Sequence, residues 1–384
     1  VNALGQPLAG LKVVTIEQAV AAPLCSRHLA ELGADVVKIE RIEGDFARRY
    51  DSMVEGEATH FVWLNPGKRS LALDLKSTSG RQVVLDLLHD ADVLLSNLGP
   101  GAIDRLFGEV ELAALNPRLI RCVLSGFGSE GPYAQRKSYD LLVQGEAGVT
   151  ASTGAEGFPA KCGVSLADLA GGVYGLTAIL AALLQRERTG RGSTVEISLF
   201  DCLAEWMMPL LLAERYGGGT PPPMGTRHAT IVPYGPFRSA DQEIINIAVQ
   251  NERQWRALCV DVLGDPSLVE HPHYRTNELR VAHRAEVERI VSQAVGTMDA
   301  REVRLALEGA DVPWGDLNSV AQVAEHPVLR DRHRWAPVTL PGGPVVEVLV
   351  PAFLAGLDAT PRRVPALGEH SEEILRALGY DAQQ

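Results

Sequence analysis

Positive charge is in short supply. Thirty-six Lys and Arg stand against 48 Asp and Glu, for a formal net charge of -12. So acidic a chain is not suited to bulk binding of nucleic acid or an anionic membrane surface. A local basic pocket for a phosphorylated ligand stays open. Cysteine is also sparse, with five residues at 25, 122, 162, 202 and 259. Their odd number, and the lack of CxxC or Cys/His ligand spacing, exclude a disulfide framework and fit reduced thiols in a cytoplasmic protein. The opening VNALGQPLAGLKVV has no basic stretch followed by an apolar one, so no leader peptide is expected. The most apolar segment, Ala170 to Leu184, contains three glycines between Asp168 and Arg186. It reads as a buried helix too short to span a bilayer.

Several catalytic signatures are missing. No G-x-x-x-x-G-K-[ST] phosphate loop and no G-x-S-x-G nucleophile elbow occur. LKVVTIE, a helix and DVVKIE outline a dinucleotide-binding unit, but the first turn, QAVAAPLC, has no glycine. Backbone amides there cannot close on a pyrophosphate in the usual way. The ten histidines are scattered; His271 and His273 sit together in HPHYR without a third partner. No metal is expected.

What is present is a strand–helix alternation. LKVVTIE, DVVKIE, SLALDLK, DVLLSNL, LIRCVLSGFG and STVEISLFD are strand-like, and helical patterns lie between them. This predicts an α/β class with a parallel sheet covered by helices. The 384 residues suggest about two domains. GGGTPPP marks a boundary, giving a large α/β domain over 1–216, a Gly/Pro linker over 217–232 and a smaller, more helical α+β domain over 233–330. Strands return near WAPVTL and PVVEVLVPAF, in a C-terminal segment 331–384 that ends in the helix SEEILRALG.

One carboxylate stands out. Asp168 lies in GVSLADLAGGVYG among small and apolar residues, just before Gly171 and Gly172. Two readings fit it. Ser165 and Asp168 match S-x-x-D, a capping box at the start of a buried helix. Alternatively, a poorly solvated carboxylate is kept for chemistry, and the glycines let a bulky ligand approach the backbone. Cationic side chains gather at predicted strand ends: Lys68, Arg69 and Lys76 around SLALDLK, Arg105 after NLGPG, and Arg136 and Lys137 in AQRKSYD. Singly each is a surface charge; together they suit a polyphosphate. Gly190 is the expected cap where the apolar helix stops in RERTGRG.

Taken in order, PLAGLKVVTIEQAVAAPLCSRHLAELGADVVKIER, NPGKRSLALDLK, NLGPGAIDRL, YDLLVQGEAG, ADLAGGVYG, ERTGRGSTVEISLFD, MGTRHATIVPYGPF and VPALGEHSEEIL resemble the class III CoA-transferase family, which includes related α-methylacyl-CoA racemases. The resemblance covers nearly the whole chain. It implies a Rossmann-like large domain, a C-terminal segment returning to it, and an interlocked homodimer. It also implies that Asp168 is a covalent nucleophile that moves CoA from an acyl-CoA to a carboxylic acid through anhydride and thioester intermediates. No tightly bound cofactor is implied; acyl-CoA is a substrate. By position, the CoA contacts fall on Val20, Ala21, Arg41, Leu73, Lys76, Asn97, Leu98, Arg105, Lys137 and Tyr139. Two departures narrow the reading. Val20 stands where the formyl-CoA branch has glutamine, so formyl-CoA and oxalate are not favoured. Tyr139 stands where the racemase branch has histidine, and a phenol with a pKa near 10 is a poor proton relay. Racemase or epimerase activity is therefore the alternative, and a non-catalytic acyl-CoA-binding protein a third. Arg227 and His228 are candidates to meet a second substrate carboxylate, or a structural loop pair.

Overall fold

The computed structural model describes residues 5–354 and 362–380. Six strands form one parallel sheet: β1 (Lys12–Ile16), β2 (Asp35–Glu40), β3 (Arg69–Ala72), β4 (Val93–Ser96), β5 (Ile120–Ser125) and β6 (Thr194–Ser198). Their order is β3-β2-β1-β4-β5-β6. The order reverses direction between β1 and β4, which is where ligands of doubly wound sheets bind.

Alternation along each strand builds two cores. From β1, Val13 points into one with Leu95 and Cys122, while Val14 and Ile16 point into the other with Leu71 and Leu94. The first is covered by helices α1 (Ala21–Glu31), α6 (Leu166–Thr189) and α7 (Leu199–Trp206). The second is covered by α3 (Thr78–His89) and α4 (Ala102–Phe107), with Ile374 from the C-terminal helix Ser371–Ala377. Two shorter helices, α2 (Thr59–Leu64) and α5 (Asp140–Glu146), stand near the strand ends.

The apolar helix is longer than its apolar stretch. Helix α6 has 24 residues and by length and composition could cross a membrane. Its Ala167, Ala170, Leu176, Ile179 and Ala182 are instead part of the first core. The expectation that it is too short to span fails because helix continues through Arg186 and Arg188; Arg186 is buried and paired with Asp92 at 2.9 Å. Gly190 caps the helix as expected, at φ 70°, with its N–H on the Arg186 carbonyl.

The glycines of α6 serve packing. A Cβ on Gly172 would stand 2.8 Å from the Ala21 carbonyl oxygen and 2.9 Å from Leu24 Cβ, and one on Gly171 would strike Leu199. These positions admit α1 and α7 to the helix backbone, not a ligand as the sequence suggested.

The chain divides into two compact units. One holds residues 1–149, 162–208 and 327–384; the other holds 150–161 and 209–326. The GGGTPPP run lies inside the second unit, where the Thr220 N–H and hydroxyl donate to Glu214 at 2.9 and 2.7 Å. That unit has its own antiparallel sheet, β7 (Tyr234–Arg238), β8 (Ile244–Ala248) and β9 (Trp314–Asp316), over a core with Trp255, Val287 and Val303. The first unit carries a further small sheet of β10 (Trp335–Thr339), β11 (Val345–Leu349) and β12 (Arg362–Arg363), packed near Phe61.

Candidate active site

A cleft of about 320 Å³ opens at the reversal point of the sheet. Gln18 to Ala21 line it from the loop after β1, Asn97 from the end of β4, and Leu124 to Gly126 from the end of β5. Phe46, Tyr50 and His60 form an aromatic side; Tyr139, Asp140, Ser165 and Asp168 form a polar one.

The capping reading of Asp168 is not what the chain does. Ser165 is at the N-cap position of α6 but makes no side-chain cap. Asp140, the first residue of α5, takes over: its Oδ1 accepts the Ala167 N–H at 2.8 Å, and its Oδ2 accepts from Gln144 Nε2 at 2.7 Å. Gln144 is fully buried and also accepts the Cys162 N–H at 3.0 Å. Asp168 is left without a side-chain hydrogen bond among the described residues. Burial, and then the charge of Asp140, push its carboxyl up to about 7. A carboxylate poised near neutrality in a cleft, with no structural partner, is a candidate for chemistry.

Behind the β1–α1 loop lies a buried network of charges. Lys68 donates to Glu17 Oε1 at 2.8 Å, to the Pro23 carbonyl at 3.0 Å and to Asn65 at 3.1 Å. Lys38 donates to Asp45 at 2.8 Å and lies 3.5 Å from Glu17, which also accepts the Ser26 hydroxyl at 2.7 Å. Burial opposes the ionised form of Glu17, but Lys68 and Lys38 more than offset it and hold the carboxyl below its usual range. Burial lowers Lys68 to about 8 despite Glu17. Asp45 then accepts the N–H of Ala19, at 3.3 Å. Ala19 has φ 63°, which a residue with a Cβ rarely adopts. The network thus sets the loop conformation that presents Val20 and Ala21 to the cleft. Lys68, grouped by sequence with surface cations for a polyphosphate, is a core residue.

The other expected contacts separate into groups. Val20 is buried and Ala21 begins α1; both line the cleft. Asn97 lines it too, but its amide is engaged: Nδ2 donates to the Gln18 carbonyl at 2.8 Å and Oδ1 accepts the Gln18 N–H at 3.0 Å. Tyr139 lines it and is exposed. Arg41, Lys76, Leu98, Arg105 and Lys137 are exposed near the same ends of the sheet, outside the cleft lining; Arg105 donates to the Pro100 carbonyl at 3.2 Å. Leu73 packs against the second core. Arg227 and His228 belong to the second unit, where Arg227 pairs with Glu288 at 3.0 Å and His228 stacks on Tyr234. Sequence reasoning missed Phe46, Tyr50, His60 and the role of Asp140. Only Asp140 carried a signal, as an acid opening a predicted helix.

His271 and His273 have more company than the sequence suggested. His283 and Glu286 offer donor atoms that, with His273, all lie within 4.8 Å of one another. The His273 and His283 rings, however, stack at 4.1 Å and 9°. Imidazole lone pairs lie in the ring plane, so in this stack they run side by side instead of converging on one ion.

The geometry is that of an α/β fold with a ligand cleft at the reversal point of a doubly wound parallel sheet and a desolvated carboxylate in that cleft. Comparison with known proteins narrows this. The model for CoA-transferase family III matches residues 8–371, and the chain belongs to that family. It is 34% identical over 387 residues to a succinate–glutarate CoA-transferase of Agrobacterium fabrum, covering 97% of this chain and 96% of the relative. It is 35% identical to an acetyl-CoA:oxalate CoA-transferase of Acetobacter aceti, over 88% of each. A CAIB/BAIF family protein from Brucella suis superposes with a TM-score of 0.82 at 33% identity, over 97% of this chain and 99% of that one. The protein is a CoA-transferase.

Proposed function

We propose that Asp168 is the covalent nucleophile, and that the enzyme exchanges CoA between short carboxylic acids of which at least one is dicarboxylic. The observation that carries the first part is the Asp168 carboxyl itself, pushed up to about 7 and free of any capping bond among the described residues. A desolvated carboxylate attacks more readily than a hydrated one, and a cleft that limits water protects an anhydride from hydrolysis. The names of both relatives above include dicarboxylic acids, succinate and glutarate in one and oxalate in the other.

An Asp168 oxygen attacks the thioester carbonyl, the C–S bond breaks, and a mixed anhydride and CoA thiolate result. The thiolate attacks the Asp168 carbonyl carbon, releasing the donor acid and leaving an aspartyl-CoA thioester. The acceptor carboxylate attacks that thioester, regenerating thiolate and forming a second anhydride. Thiolate attack on the acceptor's carbonyl gives the new acyl-CoA and frees Asp168. Val20 and Ala21 present the loop against which the thioester end of CoA lies. Arg41, Leu73, Lys76, Asn97, Leu98, Arg105, Lys137 and Tyr139 serve the rest of the CoA, its phosphates being met by the exposed cations.

Hydroxylamine tests the nucleophile. With donor acyl-CoA and no acceptor, Asp168 should be converted to a hydroxamate, seen as a mass shift on its peptide. Exchange of the α-hydrogen of a 2-methylacyl-CoA with solvent deuterium, with no adduct on Asp168, would replace transfer by racemisation. The reading also includes an interlocked homodimer, supported by a first unit assembled from three separate stretches of chain. A reversible monomer in light scattering at low concentration would remove it.

A further inference from the structure

If the acid is dicarboxylic, its reacting carboxyl must reach Asp168, and its second carboxylate must lie elsewhere in the same cleft. The Asp168 side cannot hold it. Asp140 stands beside Asp168, and its charge already opposes the ionisation of Asp168. Like charges concentrated at one end of a small cleft repel a third. Of the described residues that line the cleft, His60 is the one whose side chain can carry positive charge.

His60 is held in place from below. It sits in the first turn of α2, next to Thr59, whose N–H and hydroxyl donate to Asp51 at 3.0 and 2.7 Å. Its Nδ1 lies 3.5 Å from the Thr59 hydroxyl, and its Nε2 has no hydrogen-bond partner among the described residues. The ring meets Tyr50 edge-on, with centroids 5.6 Å apart at 87°, and Trp63 at 6.2 Å. The Tyr50 hydroxyl likewise makes no hydrogen bond among the described residues. Burial, with Asp45, Asp168 and Tyr139 nearby, pushes the phenol up to about 12, so it keeps its proton and remains a donor at any working pH. An uncommitted phenol donor and an uncommitted imidazole nitrogen, which becomes a charged donor when the ring takes up a proton, therefore share the aromatic side of the cleft.

We propose that Tyr50 and His60 bind the distal carboxylate of the dicarboxylic acid and set the preference for it over a monocarboxylic acid. Besides Asp168, the acids that act on this pair are Asp45, on Tyr50, and Asp51, on His60. Asp51 is occupied by Thr59 and the Met53 N–H, and Asp45 by Lys38 and backbone. Neither is therefore a free competitor for the donors. The inference rests on the CoA-transfer reading, and its test separates the two.

The test compares glutarate with valerate, acids of the same chain length, as acceptors for the full-length enzyme with one acyl-CoA donor. His60→Leu should lower the glutarate-to-valerate ratio of kcat/KM on the order of tenfold or more, chiefly through KM for glutarate. His60→Arg should recover much of that ratio, which a merely structural role would not allow. Tyr50→Phe should lower the ratio less, since it removes one neutral donor. A ratio that does not move in His60→Leu, or a wild-type enzyme that prefers valerate, overturns the assignment. Absence of transfer to every acid, with no hydroxamate on Asp168, would instead overturn the underlying reading.

Discussion

Asp168→Asn should make the protein more stable, and only above acid pH. The substitution keeps the shape of the side chain and removes its charge. In the folded protein the carboxyl is raised from 3.8 to about 7, chiefly by burial. Between those values the native state binds more protons than the unfolded chain, so stability falls as pH rises through that window and is flat above it. That interval, at about 1.4 kcal/mol per pH unit, gives roughly 4 kcal/mol as an upper bound for the wild-type penalty at pH 8. Asp168 is only half-buried by exposed area, so about 2 kcal/mol is the working expectation. The amide escapes this penalty. Thermal unfolding of both proteins at pH 5 and pH 8 should show the Asn variant melting higher at pH 8 by a few degrees, with a smaller gap at pH 5. A cap would behave oppositely, because a carboxylate held by helix N–H groups is lowered in pKa and loses stability on neutralisation. Equal melting temperatures at pH 8, or a gap independent of pH, would refute the desolvation argument. With Asp168 as the proposed nucleophile, kcat/KM of the wild type should rise with pH through about 7, because attack needs the ionised form.

Gly172→Ala should cost about 1–3 kcal/mol, because the new methyl meets backbone of α1 at 2.8 Å and no flexible side-chain tip can yield. Displacing α1 also displaces Val20 and Ala21, so KM for acyl-CoA should rise; chemical denaturation and steady-state kinetics check both, and a neutral substitution would show that the helices do not meet as described. Glu17→Gln leaves Lys68 and Lys38 buried without their shared counter-charge, and should cost about 3–5 kcal/mol. Glu17→Gln with wild-type stability would mean that solvent reaches the network.

Much of the large unit was legible because its signals are local. VVTI and VVKIE are β-branched runs flanked by turn residues, and their strands follow from the run alone. Asp168 was legible by contrast, a lone charge in an apolar segment. What escaped depends on residues far apart in sequence. Lys68 and Lys76 look alike in NPGKRSLALDLK, yet Glu17, 51 residues away, makes the first a core residue while the second is exposed. The S-x-x-D pattern at Ser165 is a true helix start, but the bond that caps it runs from the Ala167 N–H to Asp140, 27 residues before Ala167. This matters for chemistry as well as folding. Had Ser165 and Asp168 closed their own box, the carboxylate would be hydrogen-bonded, lowered in pKa and unavailable. Because Asp140 satisfies the Ala167 N–H instead, Asp168 is released from structural duty, and the charge of its replacement helps to raise its pKa. One long-range hydrogen bond thus separates a helix cap from an uncommitted carboxylate, and a local motif has no means of recording it.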